Sequence, residues 1–355
     1  MAIIQDNHLN AAVMRGVLSP AQAEQLRALA LAPTAAVVPQ PKNDGGGPDP
    51  DDERFRLIGG FNDVFVTIGI LLLVFALFGL TGSIGFAVGF IFAALASAWV
   101  LSEIFITRLR LALPAIALSI MFAVAGALSA RMLVAAAFLI TDNDTGAAGW
   151  AIFGVGLAAA AALHRWRFKV PIDTALIAAG LIGAIASTVG SLAPDQWATL
   201  SPIVWATCGV VVFALAVRID ATDPDRTTRR SDVAFWLHML AAPMIVYAAS
   251  SVFISPDAEF GVGGALGILA LFAAFGIVAL VIDRRALLVS ALSYAGLAIG
   301  YLLKESFAKD MSVSLTLLGL AVLVLLLSAR WRHLRRAVLG MLPLGGVRKY
   351  VPPAS

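Results

Sequence analysis

"SDVAFWLHMLAAPMIVY", residues 231–247, is the stretch on which the reading of this chain turns. It is apolar enough to enter a bilayer. Yet it holds Asp232, His238 and Pro243, an acid, an imidazole and a helix breaker that are all disfavoured there. The composition around it decides the environment. The chain has 355 residues, 60% hydrophobic and 13% charged, and its mean hydropathy is +0.91. Soluble domains carry about 25% charged residues, so a single soluble globule would leave far too much apolar surface in water. An integral membrane protein follows.

A helix crosses a bilayer with about 20 apolar residues. Ten stretches meet that length: roughly 62–80, 84–104, 111–130, 147–164, 171–192, 200–218, 232–254, 262–282, 286–303 and 312–329. The third extends to Ile140 if it is tilted, because "MLVAAAFLI" continues after Arg131. The expected fold is all-α: a polytopic transmembrane bundle over 61–329 with a short helical hairpin before it.

Lys and Arg stay on the cytoplasmic side of a membrane. With the N-terminus inside, all but three of the 25 basic residues fall on that side; the exceptions are Arg131, Lys304 and Lys309. One span more or fewer would scramble this alternation. Both termini are therefore expected in the cytoplasm. The outer loops are too short to hold a domain, which leaves the bundle, its cytoplasmic rim and the N-terminal segment to carry function.

Residues 1–31 read as a cytoplasmic helical hairpin. "MAIIQDNHLN" lacks the basic-then-apolar order of a cleaved signal peptide. Gly16 stops the first helix; Ser19, Pro20 and Gln22 form the N-cap, first position and capping box of the second, with Leu26 and Leu29 at helical spacing. Residues 32–60, with "APTAAVVPQPKNDGGGPDPDD", are a flexible linker and juxtamembrane segment. Their triple glycine lacks the strand and Gly-Lys-Ser/Thr of a phosphate loop. The hairpin is a candidate contact for a protein partner.

The "RGVLSPAQAEQL" hairpin, followed by a linker and many spans, resembles a family of bacterial membrane proteins known as domain of unknown function 2157. "RRSDVAFWLHMLAAP", "IDRRALLVSALSY" and "LPLGGVRKYVPP" are similar to recurrent phrases of that family. The resemblance implies a multi-pass protein of the bacterial inner membrane and transfers no catalytic or binding residue.

Small residues recur at every fourth position in several spans: Gly85, Gly89, Ala93 and Ser97; Ala179, Gly183 and Ser187; Gly263 and Gly267; Gly296 and Gly300. Such stripes let helix backbones approach in lipid. They imply packing within the bundle, or a homo-oligomer through Gly85 and Gly89. Pro114, Pro171 and Pro202 fall in the first turns of their spans, where a missing N–H matters little, whereas Pro243 lies mid-span and is expected to kink span seven. The basic turns near Arg108, Arg165, Arg229 and Arg284 recur like a weak internal repeat.

Ionisable groups inside a membrane are functional candidates by default. Asp63, Asp173 and Asp232 sit in first turns, where a carboxylate caps a helix and meets its positive dipole end. Glu103 ends span two, against the dipole, with Arg108 and Arg110 within reach as ion-pair partners. Mid-span positions lack a carboxylate, Lys or Arg. Zincin, nucleophile-elbow and Walker signatures are absent, the four histidines are scattered, and Cys208 is alone. These observations argue against an enzyme, a metal or other cofactor, and a nucleic-acid partner.

The tail, residues 330–355, begins "RWRHLRRAVLGMLPL" and reads as a basic amphipathic helix on the anionic inner leaflet, with Trp331, Arg332, Arg335 and Arg336 as lipid contacts. In span seven, Asp232, Trp236, Pro243 and Tyr247 share one helical face, and His238 lies about 120° away at 100° per residue. Asp232 and His238 therefore cannot pair within the helix; Glu103 or Asn62 on another helix is the candidate partner of His238. The functional candidates are His238, Pro243, Tyr247, Glu103 and Asn62. The reading is transport or lipid handling through a kinked span seven, the alternative a non-catalytic scaffold or envelope-assembly factor that uses the hairpin.

Overall fold

The computed structural model describes residues 9, 13–15, 19–24, 61–83, 87–137, 146–223, 228–254, 261–304 and 309–341. The linker, most of the hairpin with Gly16, Leu26 and Leu29, Gly85, and residues 342–355 lie outside the described residues. The chain divides into two compact units, Met1–Glu53 and Arg54–Ser355. In the first, the expected capping box forms. Ser19 N–H donates to Gln22 Oε1 at 2.9 Å, and Gln22 N–H donates to Ser19 Oγ at 3.3 Å.

The second unit is an all-helical bundle. Its helices are α1 (Phe61–Ser83), α2 (Ala87–Ser102), α3 (Ala112–Ala137), α4 (Gly146–Phe168), α5 (Ile172–Leu192), α6 (Trp197–Asp220), α7 (Arg229–Ser250), α8 (Val262–Ile282), α9 (Ala286–Lys304) and α10 (Lys309–Met341). A π-helical turn, Glu103–Arg108, continues α2, and a 3-10 turn, Pro194–Gln196, leads into α6. Among the described residues, nine helices are long and apolar enough to cross a membrane. The tenth, α9, offers only the shorter apolar run Ala291–Lys304. The protein is therefore a multi-pass integral membrane protein.

Three boundaries differ from expectation. α3 runs past the expected residue 130 to Ala137; Ile140, the limit of the tilted reading, lies outside the described residues. Pro202 lies inside α6, because that helix starts at Trp197 rather than at the expected residue 200. The tail helix is no separate element: α10 is one 33-residue helix carrying both the last span and Trp331–Met341. At 1.5 Å per residue it is about 50 Å long, well beyond the ~30 Å of a hydrocarbon core.

In lipid the apolar surfaces of helices gain nothing by meeting one another, so close backbone approach decides the packing. Among the described glycines, the tightest backbone-to-backbone approach joins α4 and α5. A Cβ placed on Gly154 would lie 2.5 Å from Gly180 O, and one on Gly180 would lie 2.5 Å from Gly154 O. Gly156 and Gly126 do the same between α4 and α3, against Ala127, Ala130 and Ala160. The Gly296–Gly300 stripe lies on α10 at Leu320 and Thr316, as expected of a packing stripe. Gly183 and Gly263 face open space. Small residues run along two faces of α5, and it is the Gly180–Ala184 face that packs. In the second half of the bundle α7 is central, touching α5, α6, α8 and α9.

Candidate functional site

The turns α2–α3, α4–α5, α6–α7 and α8–α9 gather at one end of the bundle. Three of them carry a non-glycine residue in the left-handed region: Arg110 (φ 55°), Lys169 (φ 56°) and Asp283 (φ 57°). These three basic turns thus share a backbone device as well as a sequence texture.

Under the α4–α5 turn lies a buried polar cluster that the scattered histidines did not suggest. His164 ends α4 and Asp173 starts α5, and both are fully buried. His164 Nδ1 is 3.0 Å and 3.2 Å from the two Asp173 carboxylate oxygens. On the other edge of the ring, Nε2 is 3.2 Å from Ser102 Oγ. The Ser102 hydroxyl donates to Ala98 O at 2.7 Å. Ser102 Oγ therefore meets one ring nitrogen and the Asp173 carboxylate the other. Ser119 Oγ stands 3.4 Å from Nδ1. Four helices, α2 to α5, converge on this imidazole, and Phe122 and Phe168 flank it with ring centroids at 5.5 Å and 4.6 Å. A buried hydrogen-bonded acid–imidazole pair whose remaining polar sites are occupied fixes the relative setting of the elements that carry it.

That setting controls the residues next in the chain, which line two clefts on either side of the turn. The larger, about 850 Å³, lies among the ends of α4 to α7 and has Arg165, Lys169, Arg218, Arg229 and Arg230 around it. Its floor includes Ile177, Leu215 and Val233, and the exposed Trp166 stands at its edge. The smaller, about 640 Å³, lies between α3, α4 and α7 and combines Arg110, Arg167, Lys169 and Arg229 with Asp232 and Trp236. Glu103 stands beside it, but its partner is Arg167, at 2.8 Å, rather than Arg108 or Arg110. The π turn that begins at Glu103 and the α4 hairpin bring them together.

The three first-turn aspartates have three different roles. Asp63 is buried and accepts from Ala112 N–H at 3.2 Å, so it caps α3 rather than its own helix. Asp173 pairs with His164. Asp232 opens α7, but the N-cap is Thr228, whose Oγ1 accepts from Arg230 N–H at 3.2 Å.

The other candidates separate. His238 is fully buried on α7, edge-on to Phe213 with ring centroids 5.3 Å apart. Asn62 is exposed at the start of α1 and Glu103 is held by Arg167, so neither meets His238. Pro243 lies within the continuous helix Arg229–Ser250. With Tyr247 it lines a mostly apolar cleft of about 470 Å³, closed by Ala179, Gly183 and Trp205 of α5 and α6. The open Gly183 face of α5 is the wall of this cleft.

Trp331 and Arg335 depart from the expected lipid contact. Both are buried, Trp331 at 4% exposure and Arg335 at 3%. Trp331 Nε1–H donates to Asp283 Oδ1 at 2.8 Å, and Arg335 Nε–H donates to Leu280 O at 3.2 Å, a carbonyl in the last turn of α8. Arg332 and Arg336 are exposed. On the same turn Arg284 is buried, donating through Nε and Nη2 to Asp220 and reaching Ser231 O at 3.4 Å.

Among the described residues no group of three or more His, Cys, Asp or Glu is placed to hold a metal. Comparison with protein families, with characterised proteins and with solved structures finds no match to this chain.

Proposed function

We propose that this protein handles membrane lipid, taking a lipid chain from the side into the cleft of α5, α6 and α7. The observation that carries the reading is that cleft: about 470 Å³, lined mostly by apolar groups, beside Pro243 and Tyr247. Ligand pockets commonly fall in the 300–1,000 Å³ range and are mostly apolar. Tyr247 is 41% exposed, so the cleft opens outward from the bundle rather than closing over. The gathered basic turns support a bacterial inner-membrane setting with that end, and both termini, in the cytoplasm. The full burial of Ser102, His164 and Asp173 supports a non-enzymatic role.

The test fills the cleft without a clash. A Cβ at Gly183 meets nothing within 4 Å, so Gly183→Leu places its side chain in the empty space. Native mass spectrometry of protein extracted in its own lipids should show tightly held lipid on the wild type and at least one lipid fewer on G183L. Equal lipid retention by both proteins overturns the reading.

A further inference from the structure

We infer that the 850 Å³ cleft at the basic end is a headgroup site for an acidic phospholipid. The proposal rests on the lipid-handling reading and names its ligand class. Five cationic side chains, Arg165, Lys169, Arg218, Arg229 and Arg230, surround one cavity, and among the described residues no carboxylate lines it. Among the described residues none of the five is paired with an acid: the carboxylates engage His164, Arg167, Arg284 and Arg335 instead. The neighbouring cleft differs, because Asp232 lines it.

Like charges gathered at an apolar wall repel one another and lower the stability of the folded state unless an anion joins them. Arginine forks suit phosphate oxygens, which they meet in pairs of parallel hydrogen bonds. The start of α7 at Arg229 adds the positive end of a helix dipole. A free anion would use only this rim. The floor at Ile177, Leu215 and Val233 calls for hydrocarbon attached to the charged group. Trp166, 75% exposed, sits where a ring partitions between headgroups and chains. The occupant that satisfies rim, floor and edge together is a lipid with a net negative phosphate headgroup.

The buried His164–Asp173 pair gives the site its geometry. Arg165 and Trp166 follow His164 directly, and Lys169 and Pro171 precede Asp173, so all four are displayed by a turn anchored from beneath.

The experiment uses the full chain in zwitterionic nanodiscs. Dioleoyl phosphatidic acid, dioleoyl phosphatidylcholine and inorganic phosphate are titrated separately, with bound lipid read by native mass spectrometry and folding by thermal unfolding. Phosphatidic acid should bind at least tenfold more tightly than phosphatidylcholine and raise the unfolding temperature; phosphate alone should do neither. The R165Q/R218Q/R229Q triple variant should lose on the order of a hundredfold or more in phosphatidic acid affinity, because charge-assisted hydrogen bonds to the phosphate are lost. R332Q/R336Q, which removes exposed charge outside the cleft, should change it less than threefold.

Equal loss in both variants overturns the proposal in favour of general surface charge. Phosphate binding as tightly as the lipid overturns it in favour of a simple anion site. The wild-type preference for acidic lipid is measured without any variant, so misfolding of the triple variant leaves the proposal open to refutation. Loss of headgroup preference with the G183L-sensitive lipid still present refutes this site alone and leaves the lipid-handling reading standing.

Discussion

The α4–α5 and α8–α9 turns look alike in sequence and do different work. Both are short, basic and left-handed at one non-glycine residue, Lys169 in the first and Asp283 in the second. Both sit over an acid–base contact, fully buried in the first and largely buried in the second. In the first turn a histidine faces inward, Arg167 pairs with Glu103, and the cations Arg165 and Lys169 are left to line clefts. In the second turn the arginines themselves face inward: Arg284 binds Asp220, and Arg335 reaches α8 from α10. What separates the two outcomes is the supply of carboxylates. Asp220 and Asp283 stand where Arg284, Arg335 and Trp331 can reach them, whereas Asp173 is taken by His164. A basic turn becomes mortar when acids are near and a mouth when they are not.

The comparison is broken most severely at the second turn. Arg284→Met leaves Asp220 without its cation, and losing one partner of a buried pair costs about 3–5 kcal/mol. Thermal unfolding in detergent should show R284M as the least stable variant considered, without loss of acidic-lipid preference. At the first turn, Asp173→Ala strips the buried imidazole of its acceptor. That substitution should cost about 3 kcal/mol and, unlike R284M, weaken phosphatidic acid binding. If both variants change lipid binding alike, the division of labour between the turns fails.

Smaller effects sharpen the contrast between packed and open faces. Gly180→Ala forces a Cβ onto the Gly154 carbonyl and should destabilise by about 1–3 kcal/mol. Gly183→Ala, three residues on and facing open space, should be neutral or stabilise by up to about 1 kcal/mol. Unfolding midpoints of the two variants decide this directly. Trp331→Phe removes the hydrogen bond to Asp283 together with part of a buried indole, a loss of about 2 kcal/mol.

The fold was legible because two independent periodicities agree, apolar length and basic alternation. All ten expected spans correspond to helices, although α9 lacks the long apolar run of the other nine. Faces were harder to read than spans. In α5 the small residues Ala179, Gly183 and Ser187 make a cleaner four-residue stripe than the Gly180–Ala184 face that packs, and spacing alone gives no reason to choose between them. The polar cluster was hidden because its members come from four helices: Ser102 and His164 are 62 residues apart in sequence. One signal was present. His164 and Asp173 close the two ends of a single short hairpin turn, where antiparallel helices must bring them level. Pro243 and Tyr247 stand out in the sequence for an expected kink; the structure places them beside an opening at Gly183. Trp331 and Arg335 misled because an amphipathic basic helix has the same sequence signature whether its apolar face meets lipid or protein.

Lys169 holds a left-handed backbone that glycine would adopt without steric penalty, at a disadvantage of about 1 kcal/mol for a residue with a side chain. It also lines both clefts at the basic end. At this one position the demands of folding and of recognition point in opposite directions. A K169G chain should be the sturdier protein and the poorer ligand for an anion, so selection for thermal robustness alone would erode the charge at the mouth.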